Sequence, residues 1–193
     1  MKFTKDNVEL VDGYEATSDD YVLKISQDVD AESPREWDNL TTMVCSHKRY
    51  NLGDKHLYDT DDYDGWDELR KAFEADNDVL LARPLYLYDH SGGITIKTTP
   101  FSNGWGSGQV GWVFITRDQL ELLGSPEDKL EKLLESEVET YDQFLTGEVY
   151  GFNLVKKSFC KCCKHSNEED VDSSWGYHDL ESLLEVVNQN IED

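Results

Sequence analysis

Three of the chain's four cysteines and one of its five histidines fall within eight residues, Ser158 to His165, SFCKCCKH. Zinc takes four soft or borderline ligands in a tetrahedron, and two cysteines separated by two residues on a tight turn aim both sulfurs at one ion. Cys160 and Cys163 have that spacing, and His165 is the next donor along the chain. Any remaining ligand must come from elsewhere, with Cys45, His47 and His178 the distant donors. The competing reading is an exposed, reduced turn between two strands. Cys162 stands outside the Cys-x-x-Cys pair, as a spectator or as a thiol whose thiolate Lys161 and Lys164 favour. Zinc is therefore a cofactor that the sequence admits without requiring it.

A second constellation is MVCSHKRYNLGDKH. Cys45 and His47 have the types of a nucleophile and its base, and Asp54 the type that would orient the imidazole. On a strand, residues two apart share a face, so the pair is equally a buried cysteine beside a hydrogen-bonded histidine. DHSGG offers Asp89, His90 and Ser91, but strand neighbours point to opposite faces, and Gly92 and Gly93 make a turn the simpler reading. SNGWGSGQVGW is rich in glycine, yet it lacks the Lys-Ser/Thr ending of a phosphate loop and leads into a strand. It reads as an irregular loop that places Trp105 and Trp112.

DTDDYDGWDE is the densest run of carboxylates: Asp59, Asp61, Asp62, Asp64, Asp67 and Glu68. With Gly65 at the glycine position of a calcium loop, Thr60 falls at the first place and Lys71 where a bidentate Glu is required, so the match fails at both ends. The six carboxylates are instead the best binding patch that the chain offers.

Charge gives that patch its context. Of the 193 residues, 41 are Asp or Glu against 18 Lys or Arg, a formal charge of -23. Such a surface repels nucleic acid and anionic membranes, and it attracts basic proteins, cations, or sites that evolved to hold nucleic acid. Adaptation to high salt fits poorly with 13 Lys against 5 Arg. Solubility alone is the plain alternative. No stretch resembles a signal peptide or approaches the ~20 apolar residues of a membrane span, so the expected location is cytoplasmic, where cysteines are thiols or metal ligands.

The elements that must hold these residues read as one α+β domain over 1–193, a mainly antiparallel sheet packed by two or three helices. YVLKISQDV predicts a strand over 21–29, and LTTMVCSH is a short apolar run. A helix begins near Gly65 with Trp66, Leu69, Ala72 and Phe73 at helical spacing. VLLARPLYLYDHSGGITIKT reads as strand, turn and strand, and GQVGWVFIT as a strand inside the sheet. SPEDKLEKLLESEVETYDQFLTG has Ser125 as cap, Pro126 in the first turn and an apolar stripe of Leu130, Leu133, Leu134, Val138, Tyr141 and Leu145. EVYGFNLVKKS is a strand, the cysteine turn occupies 158–165, and a last helix runs over about 179–191.

Four blocks, WDNLTTMVCSHKRYNLGDKH, PLYLYDHSGGITIKTTPFSNGWGSGQVGWVFIT, EVETYDQFLTGEVYGF and DSSWGYHD, resemble a family of uncharacterised proteins encoded by tailed bacteriophages, mostly of Gram-positive hosts. The resemblance spans Trp37 to Tyr177 and implies genomic context without a mechanism. Cys160 and Cys163 match a Cys-x-x-Cys pair of that family, while Ser174 stands where a later cysteine would be. Together with the charge, the resemblance implies a small accessory protein in the cytoplasm of the infected cell. It would bind and inhibit a host nucleic-acid-handling or defence protein through a basic surface, by nucleic-acid mimicry, without touching nucleic acid or membrane itself. The alternatives are a metal- or thiol-dependent enzyme using Cys45, His47 and His90, and a zinc-stabilised structural phage protein.

Overall fold

The structure is a computed structural model that describes residues 2–90, 93–102, 105–124, 126–160, 162–163 and 166–192. In chain order the elements are β1 (Tyr14–Ser18), β2 (Tyr21–Gln27), β3 (Thr42–Cys45), α1 (Trp66–Asp76), β4 (Val79–His90), β5 (Gly93–Lys97) and β6 (Ser107–Thr116). They continue with α2 (Arg117–Leu123), α3 (Leu130–Thr146), β7 (Tyr150–Phe159), β8 (Ser166–Tyr177) and α4 (Leu180–Glu192). The α+β class holds, and the strands named above pair antiparallel. Expected in one sheet, they form two four-stranded sheets, ordered β1-β2-β7-β8 and β3-β6-β4-β5. The chain clusters into two compact units, residues 33–146 and residues 1–32 with 147–193.

In the 33–146 unit the sheet is covered on both faces. Leu130, Leu134, Val138 and Tyr141, the apolar stripe of α3, pack with Met43, Leu85, Ile96, Val113 and Ile115. Leu69 and Phe73 of α1 join Val44, Ala82, Trp112 and Phe114 in a separate cluster. Strand neighbours point to opposite faces, so β6 serves both layers and its last seven residues, Val110 to Thr116, are all buried. Phe73 stacks on Phe114 with ring centroids 4.4 Å apart. The helix beyond the expected two or three is α2, and its cause is local: Thr116 and Gln119 form a reciprocal capping box that turns the chain out of β6. Pro126 precedes a 3-10 turn, Glu127–Lys129, and α3 starts after it. Ser125, the expected cap, lies outside the described residues.

The other unit has a core between its sheet and α4. Leu23 pairs with Leu154 and Ile25 with Phe152 across β2 and β7, and all four pack with Leu183, Leu184 and Val187 of α4. Asp179 caps α4, its carboxylate accepting from the Ser182 amide at 2.8 Å and the Ser182 hydroxyl at 2.7 Å. The strand expected over 21–29 ends at Gln27, because Val29 is exposed beyond the pairing with Tyr150. No helix among the described residues is long and apolar enough to cross a membrane.

Candidate functional site

The acidic loop is built so that its carboxylates face outward. Asp59 accepts from the Asp61 amide at 3.1 Å and so caps a 3-10 turn, Thr60–Asp62. Glu68 accepts from the Asp64 amide at 2.9 Å, across the left-handed Gly65 (φ 94°) that starts α1. Asp67 and Glu68 stand in the first turn of α1, where the helix dipole favours negative charge. Tyr63 and Trp66 point the other way, onto the Phe73 and Trp112 cluster, and the Trp112 Nε1–H donates to the Trp66 carbonyl at 2.9 Å. A small cavity of about 230 Å³ lies between Thr60, Tyr63, Gly65, Trp66 and Leu69.

All six carboxylates are exposed, and among the described residues none forms an ion pair. The five arginines are committed elsewhere: Arg35 to Asp54 and Glu137, Arg49 to Asp89, Arg70 to Glu74, Arg83 to Glu131 and Arg117 to Asp78. None of the five arginines neutralises the patch. Among the described residues, the group of three or more His, Cys, Asp or Glu donors whose ligand atoms converge is in the cysteine turn, not in this loop.

Cys45, His47 and His90 have other engagements. Cys45 sits on β3 opposite Gly111, inside the core, and burial pushes its thiol up to about 12, with nearby Asp54 adding to the effect and Arg35 opposing it. A thiol so held is not a nucleophile at neutral pH. The imidazole nearest to it by hydrogen bonding is that of His56, whose Nε2 lies 2.9 Å from the Cys45 carbonyl oxygen and not on the sulfur. His47 stacks on Tyr50 at 4.9 Å and its Nδ1 accepts from the Arg49 amide at 3.3 Å. The His90 ring lies 5.1 Å from that of Tyr88. Ser91 and Gly92 are outside the described residues.

Asp54, expected to orient His47, is instead the partner of Arg35, whose side chain is 4% exposed. It also accepts from the Met43 amide at 2.7 Å. Glu137 of α3 receives the amides of Leu40 and Thr41 at 2.8 and 3.0 Å. Gly53 lets this loop close: its φ is +69°, and a Cβ there would stand 2.5 Å from the Met43 carbonyl oxygen. The cluster forms part of the wall of a cleft of about 680 Å³, open between Trp37, Asn39, Lys55 and Gln119. Sequence reasoning missed it, because Arg35 belongs to no motif and Asp54 was assigned to His47. The one available signal was a single arginine in a strongly acidic stretch. One guanidinium and the amides of Leu40, Thr41 and Met43 hold the two carboxylates of the cluster, which makes it a clamp on the loop.

The cysteine turn joins β7 to β8, and Cys160, Cys162 and Cys163 are all exposed. Their three sulfurs lie within 4.8 Å of one another, with the Sγ atoms of Cys160 and Cys162 2.9 Å apart. Cys162, read from spacing as a spectator or a reactive thiol outside the pair, is a member of the cluster, its sulfur standing next to that of Cys160. Hydrogen bonding from the Cys162 thiol, assisted by the Cys163 and Cys162 backbone amides, lowers the Cys160 thiol to about 6, while donation raises that of Cys162. The cluster includes neither Cys45 nor His178. His165, the third expected ligand, lies outside the described residues, as do Lys161 and Lys164. Three convergent soft donors can hold a metal ion.

No family model, curated protein or solved structure matches the chain.

Proposed function

We propose that this is a small acidic accessory protein of a bacteriophage. In the cytoplasm of the infected cell it binds and inhibits a host nucleic-acid-handling or defence protein, by taking the place of nucleic acid on a basic surface. One observation carries the reading: six exposed carboxylates from Asp59 to Glu68, unpaired among the described residues, in a chain whose five arginines are each committed to another carboxylate. Duplex DNA offers a negative charge about every 1.7 Å of axis, and a protein groove built for that density attracts an acidic surface by the same forces. Phage origin is supported by the resemblance of the blocks between Trp37 and Tyr177. The test is capture of a host protein at low salt, its release as salt is raised, and its displacement by duplex DNA. A captured protein that neither salt nor DNA displaces would overturn the reading.

A second reading, a zinc-stabilised structural phage protein, is favoured by the three sulfurs gathered at the β7–β8 turn. Zinc content of the purified, reduced protein tests it. The enzymatic alternative draws less support, since the Cys45 thiol is buried and the His56 imidazole beside it meets the Cys45 carbonyl oxygen.

A further inference from the structure

The β7–β8 hairpin outruns the sheet that supports it. β2 pairs with β7 from Tyr150 to Lys156, and the Lys157 amide still donates to the Asp20 carbonyl at 2.6 Å, whereas Ser158 and Phe159 have their strand partners on β8, opposite Asn167 and Ser166. Among the described residues this end is exposed: Ser158 and Phe159 at the end of β7, Cys160 after it and Ser166 to Val171 on β8, with Phe159 66% exposed. A two-stranded ribbon without a core is marginal in water. Small elements that lack a core are commonly held by a metal or a disulfide.

Cys160 directly follows β7, and Cys162 and Cys163 lie in the turn before β8, so an ion bound to all three sulfurs would tie the strand end to the turn. We infer that the hairpin tip is a three-thiolate site for a thiophilic closed-shell cation such as zinc, with Cys162 as an obligatory ligand alongside Cys160 and Cys163, and that the ion pins the projecting hairpin. Thiolate sulfur selects soft and borderline cations over calcium or magnesium. On binding, each thiol still protonated yields its proton to solvent as its sulfur takes up the metal. This inference rests on the second reading above and deepens it by naming the ligand set and what the metal does.

The experiment uses the full chain, reduced and kept free of oxygen, with zinc(II) alone as the probe, titrated against a chromogenic chelator. Variants Cys160→Ser, Cys162→Ser, Cys163→Ser and Cys45→Ser are compared, their folding checked by circular dichroism; the tip residues are exposed, so their variants should fold. The expected result is one zinc per chain, affinity lowered about 100-fold or more by each tip substitution and unchanged by Cys45→Ser. Hydrogen exchange at residues 157–159 and 166–170 should slow when zinc is added. Zinc binding that Cys162→Ser leaves intact, or no change in exchange at the hairpin, would overturn the inference while leaving the second reading standing. No zinc binding by the parent chain would overturn both.

Discussion

Arg35 grips Asp54 through two parallel hydrogen bonds, Nε to Oδ1 at 2.8 Å and Nη2 to Oδ2 at 2.7 Å. The same guanidinium donates to the Thr41 carbonyl at 2.8 Å and faces Glu137 at 3.5 Å. One cation thus fastens the loop before β3, the loop after it and helix α3.

Removing that cation leaves two partly buried carboxylates without the guanidinium they share. Arg35→Ala should destabilise the protein by about 3 kcal/mol, the low end for breaking a buried pair, because Asp54 and Glu137 keep some exposure. Arg35→Lys should recover little of it, since an ammonium cannot reproduce the paired geometry. Urea unfolding of the three proteins measures both.

Thiol accessibility should divide three to one. At pH 8 a disulfide reagent should modify Cys160, Cys162 and Cys163 in the native protein and spare Cys45, which reacts only on unfolding. Counting released chromophore with and without denaturant checks this. Four fast thiols would mean that Cys45 is not held in the core.

The cap of α4 should show in the acid limb of stability. Hydrogen bonds from Ser182 hold the Asp179 carboxyl below the usual carboxylate range. A depressed native pKa means that the stabilisation is fully present above the unfolded value, about 3.9, and is lost as pH falls through the lower native one. Asp179→Ala should cost about 1 kcal/mol at pH 7, and the gap between variant and parent should close toward pH 2. A gap that persists at pH 2 would assign the effect to something other than the ionised cap.

The local elements were legible because their patterns are local. The stripe from Leu130 to Leu145 and the spacing of Leu69 and Phe73 announce helices with one buried face, and both bury it. The division into two sheets was not, since one unit is closed by pairing β2 with β7, Tyr21 opposite Lys156, and no local pattern encodes so distant a partner. Nor does β8 advertise itself: Asn167 to Asp172 carry four acids and one apolar residue, so its strand character comes from pairing with β7 and not from alternation. The six carboxylates were legible as a patch. The membership of Cys162 was not, because spacing rules select Cys160 and Cys163, while the turn's own geometry decides which sulfurs meet.

We propose the acidic patch as the binding surface, and a charge-neutralised variant tests it most directly. Asp59, Asp61, Asp62, Asp64 and Asp67 are changed to Asn and Glu68 to Gln, and capture of host protein by variant and parent is compared across a salt series. The predicted result is capture by the parent that falls at least about tenfold as salt screens exposed charge, together with loss of that capture in the variant while its circular dichroism is unchanged. Equal capture by both proteins, indifferent to salt, would contradict it.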